Sequence, residues 1–320
     1  MTAKLKKQWF LCGLVIVFAS VIFDASGTLA KAGMFLKAHG GSSFAIFIIF
    51  LSSGMIIEMD QIQAGIRDIR ATLAALICIA LVAPLAALVL TRLPLDPGVV
   101  IGLILVSVVP TTLSSGVVMT GQAGGNMAHA LFVTILSNCV AIFTIPLVLP
   151  ALVSGIEFSH AIAIDQWGIF IKLVLLVLVP LVAGLLLKRY LLNIGAPVKK
   201  KLGMFNQSMV LGIVFMSLSG AREVLISQAS ILLWILPLVV AFHLILLGAA
   251  FGGTRILGMG RGRRESVIFM GAQKTLPLAV MLQLTCFPEF GTALLVCVLH
   301  HVSHLMMDGY IAAQMGDESA

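Results

Sequence analysis

Charged residues are scarce in this chain, and their scarcity limits what kind of protein it can be. Only 10% of its 320 residues are charged, whereas 60% are hydrophobic. A soluble domain carries about 25% charged residues, and this chain has too few to cover a polar surface. The mean hydropathy of +1.13 suits a lipid environment, which accepts an apolar exterior. The sequence therefore predicts an all-α integral membrane protein whose main partner is the lipid bilayer.

Several kinds of functional motif are also missing. The five cysteines form no CxxC pair, so a disulfide framework is not expected. The net charge of +7 comes without a helix-turn-helix pattern or an aromatic-basic platform, so no nucleic-acid partner is expected. No HExxH motif is present, and no acidic residue lies at the centre of an apolar run. We therefore expect a protein that is not an enzyme and that needs no cofactor beyond a coupling ion.

Apolar runs separated by Gly, Pro, Asn or charge divide the chain into ten segments, each near the about 20 residues of a spanning helix. Basic residues test this count because they concentrate on cytoplasmic loops. With the N-terminus inside, only Lys31, Lys37, Arg92 and Arg222 fall outside, and Lys172 and Lys274 fall within segments. We expect ten crossings of a plasma or inner membrane, with both termini cytoplasmic. The segments cover about residues 9–25, 42–58, 71–91, 98–120, 127–153, 166–188, 205–222, 229–252, 265–285 and 289–314.

Two segments contain helix-breaking residues near their middle. Segment 4 contains PTTLSSG at residues 110–116, and segment 9 contains GAQKTLP at residues 271–277. Proline removes a helix donor, and backbone groups freed inside a bilayer must be buried in protein or line a wet cavity. Each broken segment is the fourth of five, which predicts a 5+5 inverted repeat over residues 1–153 and 154–320 with a transport site at the breaks. A pair of packing kinks is the alternative.

The candidate solute- or ion-binding residues lie in these breaks and in segment 5. A lysine as deep as Lys274 is costly, about 2.5–3.5 kcal/mol, so it either neutralises the C-terminal end of a half-helix, binds an anionic solute or exchanges a proton. Thr134 and Asn138 share a helix face, which either bonds a neighbouring helix or faces the broken one. The predicted site residues are Thr111, Thr112, Ser114, Ser115, Gly116, Asn126, Thr134, Asn138, Gln273, Lys274 and Thr275.

A stripe of titratable residues lies in segment 10. His300, His304 and Asp308 recur every four residues and therefore share one face. Such a stripe suits a metal, a proton relay, or helix packing and cavity lining. The last is favoured because no further ligand-rich motif is present. His243, alone in segment 8, is expected to be a packed polar residue.

At these residues the sequence resembles the bile acid:sodium symporter superfamily, and within it the divergent branch containing the seventh member of solute carrier family 10 and its bacterial relatives. The motifs are PTTLSSGVVMT at 110–120, GGN at 124–126 and GAQKTLPL at 271–278, and the resemblance covers nearly the whole chain. It implies a panel domain of segments 1, 2, 6 and 7. It also implies a core domain of segments 3–5 and 8–10, in which the broken helices cross, and transport by movement of one domain against the other.

The same resemblance implies a change in ion coupling. The family's sodium-binding glutamate becomes Phe269, and the residue after Gln273 is Lys274. An ammonium in place of a carboxylate would repel a cation in a low-dielectric site, so the two-sodium mechanism is not expected. The sequence thus predicts a secondary active transporter of a small organic, anionic solute that works by alternating access, with Na+ or H+ as the possible coupling ion. The alternatives are a non-transporting membrane regulator of the same fold and a proton-coupled exchanger.

Overall fold

The computed structural model describes residues 9–57, 66–156, 164–190, 194–227 and 230–317. Helix accounts for 84% of the structure, and the described residues form no strand, so the all-α prediction is confirmed. The helices are α1 Trp9–Ile22, α2 Thr28–Ala38, α3 Gly41–Ile56, α4 Ile69–Leu90, α5 Pro97–Val108, α6 Ser115–Gln122, α7 Met127–Ser154, α8 Gln166–Tyr190, α9 Ala196–Ser227, α10 Ile231–Ile256, α11 Arg264–Ala272, α12 Leu276–Cys286 and α13 Gly291–Asp317. A π-helical turn interrupts α4 at Cys78–Val82 and α8 at Val174–Leu178.

Seven spans in the described part of the chain are long and apolar enough to cross a membrane: α4, α7, α8, α9, α10, the pair α11–α12, and α13. The helices α2 and α3 meet at 68° and make an eighth if counted together. Large apolar side chains such as Leu147, Leu233 and Trp234 face outward, as lipid contact allows. The protein is therefore a multi-pass membrane protein. The expected ten crossings are met only in part, because α1 and α5 contribute only short apolar stretches.

Both interruptions fall where the sequence predicts them. Between α5 and α6, Val109 has an extended backbone (φ −75°, ψ 151°) directly before Pro110, a conformation that the proline ring favours in its predecessor. Between α11 and α12, Thr275 is also extended (φ −81°, ψ 123°), and Pro277 lies in the first turn of α12, where proline is tolerated. At both places the backbone thus leaves the helical conformation and returns to it inside the protein.

One group of helices packs around α9, which contacts α1, α2 and α3. In the same group, α3 and α8 approach until their backbones touch. A Cβ atom added at Gly54 would collide with the Leu181 carbonyl oxygen, and one added at Gly184 would collide with the Leu51 carbonyl oxygen. The two glycines therefore set the distance between these helices.

A second group of helices surrounds the breaks. Within it α13 packs against α5 and α10, α11 packs against α4, α6 and α10, and α7 packs against α5 and α6. The two groups meet where α13 contacts α9 and where α7 contacts α8. The helix after the second break, α12, also contacts α9 and α3, so the breaks lie inside the second group on the side that faces the first.

Candidate solute site at the two helix breaks

The two breaks touch each other through their backbones. The amide nitrogen of Thr275 donates to the carbonyl oxygen of Pro110 at 2.9 Å. The helix after each break packs against the helix before the other, because α6 contacts α11 and α12 contacts α5. The extended segments therefore satisfy part of each other's hydrogen-bonding needs away from lipid.

The side chain of Gln273 joins the two breaks. Its Oε1 accepts hydrogen bonds from Thr112 Oγ1 at 2.7 Å and from Ser115 Oγ at 2.9 Å. The Thr112 hydroxyl also accepts from the Gly116 amide at 3.1 Å, so it helps to hold the first turn of α6. Gln273 is fully buried. Four of the predicted site residues thus form one hydrogen-bonded set.

The polar face of α7 is turned toward the first break. The Thr134 hydroxyl donates to Ala130 O at 2.9 Å within α7 and to Thr112 O at 3.3 Å. Asn138 Nδ2 donates to Thr134 O at 2.8 Å and lies 3.5 Å from Thr111 O. The sequence left open whether this face bonds a neighbouring helix or faces the broken one. In the structure it faces the broken helix.

Lys274 lies at the crossing, but its ammonium points away from open space. Its Nζ donates to Ile79 O at 2.8 Å, Ser107 O at 2.8 Å and Val109 O at 3.0 Å, and the residue is 1% exposed. Ser107 and Val109 lie at the C-terminal end of α5, whose partial negative charge a cation offsets. Ile79 lies in the π-helical turn of α4. All three ammonium protons are therefore used by backbone carbonyls.

The other predicted residues are spread around the crossing. Thr111 is buried, and its hydroxyl has no partner. Gly116 lies where a Cβ atom would come within 2.6 Å of Met270 Sδ, so a small residue lets α6 approach α11. Asn126 is exposed and lies apart from the breaks, where its Oδ1 caps α7 by accepting from the His129 amide at 3.1 Å.

A cavity of about 870 Å³ opens beside the breaks. The second group of helices contributes four predicted site residues to its wall, namely Thr112, Ser114, Ser115 and Thr275. The first group contributes Phe10 of α1, Ile49 of α3, and Asn206, Gln207 and Val210 of α9. No lining residue in the described part of the chain is Lys, Arg, Asp or Glu. Lys274 and Gln273 do not line the cavity, although Gln273 bonds two residues that do.

Two helices begin at this cavity. The first residue of α6 is Ser115, and α12 begins directly after Thr275. The N-cap residues Ser114 and Thr275 make no capping hydrogen bond with their side chains, although Thr112 accepts from the Gly116 amide in the first turn of α6. Helix N-termini carry unpaired amides and about half a positive charge. The cavity therefore combines hydroxyl groups with the positive ends of two helices.

The titratable stripe of α13 lies behind this wall, and the buried His243 of α10 packs against it, as expected of a packed polar residue. The sequence did not identify its partner: His243 Nε2 lies 2.8 Å from Asp308 Oδ1. The other oxygen, Asp308 Oδ2, accepts from Gln273 Nε2 at 2.8 Å. Within the described residues, no group of three or more His, Cys, Asp or Glu side chains is arranged to hold a metal ion.

Sequence reasoning missed the contribution of α9. Asn206 is buried, and its Nδ2 donates to Ser53 Oγ at 3.1 Å, while Gln207 lines the cavity beside it. The signal was available as two adjacent amides, Asn206 and Gln207, within a largely apolar segment. Only packing reveals that they face the breaks.

Comparison with known proteins identifies the family. The model of the SBF-like CPA transporter family matches residues 8–317. The chain belongs to this family. The resemblance to the bile acid:sodium symporter superfamily is therefore confirmed, and this SBF-like chain is a membrane transport protein and not an enzyme.

Relatives of this SBF-like chain come from plants, animals and bacteria. It is 32% identical over 300 residues to the "probable sodium/metabolite cotransporter BASS4, chloroplastic" of Arabidopsis thaliana, covering 89% of the chain and 67% of the relative. It is 22% identical over 316 residues to "sodium/bile acid cotransporter 7" of Xenopus tropicalis, covering 95% and 90%. It is 27% identical over 293 residues to an uncharacterized protein of Pseudomonas aeruginosa, covering 87% and 86%.

Proposed function

We propose that this protein is a secondary active transporter that moves a small organic anion through the cavity at the helix breaks by alternating access. The observation that carries the proposal is the position of the cavity. One wall comes from the broken helices, and the opposite wall comes from α1, α3 and α9. A site between two separately packed groups opens or closes when one group moves relative to the other.

The chemistry of the wall favours an anion. Uncharged hydroxyl and amide groups give hydrogen bonds without fixed charge, and the N-termini of α6 and α12 add a positive field. A volume of about 870 Å³ lies within the about 300–1,000 Å³ of small-molecule sites. Two relatives are named as cotransporters of a metabolite or of bile acid, which agrees with an organic solute.

The moving parts follow from the two helix groups. We assign α1–α3, α8 and α9 to a panel domain and α4–α7 and α10–α13 to a core domain. The proposed arrangement has ten crossings in a 5+5 inverted repeat, with both termini in the cytoplasm and the protein in the plasma or inner membrane. Its support is that the two interruptions occupy matching places in the two halves of the chain.

We do not propose the two-sodium mechanism for this chain. Phe269 stands in place of the glutamate that the superfamily uses for sodium, and the neighbouring Lys274 ammonium would repel a cation. Because relatives are named sodium cotransporters, a sodium gradient forms one arm of the test and a proton gradient forms another.

The test is uptake by proteoliposomes of a panel of labelled organic acids, including a bile acid, each paired with an uncharged analogue. We expect at least one acid to accumulate and its analogue to be excluded. Thr112→Val removes a cavity hydroxyl together with its hydrogen bonds to Gln273 Oε1 and to the Gly116 amide. A lost hydrogen bond costs about 0.5–1.5 kcal/mol, so uptake should fall by up to about tenfold. Ser208→Ala is the matched control, because this exposed hydroxyl bonds only Met204 O in its own helix.

The outcomes separate the parts of the proposal. Uptake of neutral solutes only would refute the anionic solute. The absence of uptake under every gradient, from protein that is folded and inserted, would refute transport. Unchanged uptake by Thr112→Val would show that the solute does not bind at the breaks.

A further inference from the structure

A cluster of five titratable side chains lies between α10 and α13, behind the cavity wall. Its members are His243, His300, His301, His304 and Asp308, and none is more than 6% exposed. Ionisable groups within a membrane are costly and mark functional sites by default. Only His301 also lines the cavity. The cluster thus has one contact with the proposed solute path.

Short contacts join the members in a line. His301 Nδ1 lies 2.9 Å from His304 Nε2, and His304 Nδ1 lies 3.9 Å from Asp308 Oδ2. Asp308 Oδ1 in turn lies 2.8 Å from His243 Nε2. The line runs from the cavity at His301 to a carboxylate that is fully buried.

On the path from His301 to Asp308, one buried nitrogen is left for an added proton; His243 Nδ1 and His300 Nε2 are also buried without a partner, but they lie off this path. A neutral imidazole has one N–H and one lone pair, whereas an imidazolium has two N–H groups. The contact with His301 uses one nitrogen of His304, and the other, Nδ1, has no hydrogen-bond partner although it is buried. It faces the Asp308 carboxylate. A proton there would turn a costly unpaired nitrogen into a donor beside a negative charge.

The charged surroundings are few. His243 of α10 and His300 of α13 are the other titratable rings, and Lys274 lies at the break with its backbone beside His301 and His304. The helices α1, α5, α6 and α12 contain no charged residue, and neither do residues 203–221 of α9. Asp308 is therefore the negative group that can hold a proton in this region.

We propose that His301, His304 and Asp308 form a proton-binding site that exchanges with the cavity through His301. One proton leaves cavity water, passes through the two ring nitrogens of His301, and remains on the His304–Asp308 pair. His301 returns to neutral, and the charge of the site rises by one. The coupling of this proton to solute movement rests on the proposed function, but the proton site itself does not.

The link to the solute path is Gln273. Its Nε2 donates to Asp308, while its Oε1 accepts from Thr112 and Ser115 at the cavity wall. A proton on the pair weakens Asp308 as an acceptor for Gln273 and so alters the support of the two hydroxyls. Proton binding and solute binding would thus influence each other reciprocally.

The proton site is tested by solid-state NMR of protein with ¹⁵N-labelled histidine rings in lipid bilayers, without solute or sodium. On acidification we expect the His301 and His304 signals to change together as one proton enters. Asp308→Asn should lower the proton affinity of the pair at least about tenfold, because the imidazolium loses its countercharge. His304→Gln should leave His301 titrating alone. The control is His129→Gln, because His129 is another buried ring and is bonded to Thr72 and Ser266.

Two results would overturn the site: neutral rings at 301 and 304 over the whole pH range in which circular dichroism shows folded protein, or a titration that Asp308→Asn leaves unchanged. Uptake driven by an imposed pH gradient in sodium-free proteoliposomes then tests coupling. Solute uptake that ignores the pH gradient would refute coupling while transport stands. Titration of the pair without uptake of any solute would leave the proton site and refute transport.

Discussion

Replacing Lys274 with methionine tests whether the ammonium holds the end of α5. Methionine keeps a similar length and removes only the charged donor. Three hydrogen bonds to a charged donor contribute about 1.5–3 kcal/mol each, and relief of the insertion cost returns about 2.5–3.5 kcal/mol. The difference predicts that Lys274→Met lowers the free energy of unfolding by about 1–6.5 kcal/mol, because Ile79, Ser107 and Val109 lose their common partner.

The assay is equilibrium unfolding in mixed micelles with an increasing fraction of SDS, followed by circular dichroism. Lys172→Met is the matched control, because Lys172 is exposed and makes one side-chain bond, to Thr285 Oγ1 at 3.2 Å. It should change the unfolding free energy by no more than about 0.5 kcal/mol. If Lys274→Met unfolds like the wild type, the structural role is refuted. If it does so and also loses uptake, the lysine acts in transport instead.

Two further predictions concern stability. Gly54→Ala should cost about 1–3 kcal/mol in the same unfolding assay, because the new Cβ collides with backbone of α8 that cannot yield. The control Gly248→Ala, with open space around it, should cost nothing; equal effects would contradict the close approach of α3 and α8. The Arg263 guanidinium, which donates to the Asp68 carboxyl at 2.6 Å and 2.8 Å, holds the pKa of Asp68 below its usual value. The pair is partly exposed and contributes at most about 1 kcal/mol. The stabilisation from this pair is present above the ordinary carboxyl pKa and is lost as pH falls through the lowered pKa. Asp68→Asn keeps the helix cap. Its free energy of unfolding should therefore lie below that of the wild type at neutral pH and equal it in acid. A difference that persists in acid would show that the charge pair is not its source.

The positions of the breaks could be predicted because their cause is local. A proline acts on its own residue and on the one before it, but Pro146, Pro150 and Pro237 lie inside continuous helices. The breaks could be located because Pro110 and Pro277 lie beside glycine and polar side chains in the same short stretch. The polar face of α7 was equally accessible, since the four-residue spacing of Thr134 and Asn138 fixes a shared face. Polar side chains in a membrane helix turn toward protein rather than lipid.

The features that could not be predicted depend on distant parts of the chain. The Lys274 ammonium binds Val109, 165 residues away, and His243 finds Asp308 at a separation of 65. Periodicity within one segment gives a face but does not identify the helix opposite. The separate helix α2 was missed for another reason. Gly40 adopts φ 77° and makes the bend between α2 and α3. From length and composition alone, these two short helices look like a loop followed by one spanning segment.

The arrangement of charge around Gln273 bears on how the proposed site would release its solute. The Lys274 ammonium is used by the end of α5, and the Asp308 carboxylate contacts His243 and Gln273. Both buried charges are therefore balanced inside the protein. An anion in the cavity would meet two helix ends, each with about half a positive charge, and hydroxyl groups, but no fixed cation. A passage for solutes must bind well enough to admit them and weakly enough to let them leave. A wall without full charges meets the second condition. A proton that enters through His301 and remains on the His304–Asp308 pair would raise the charge behind that wall by one unit and so change the electric field in the cavity.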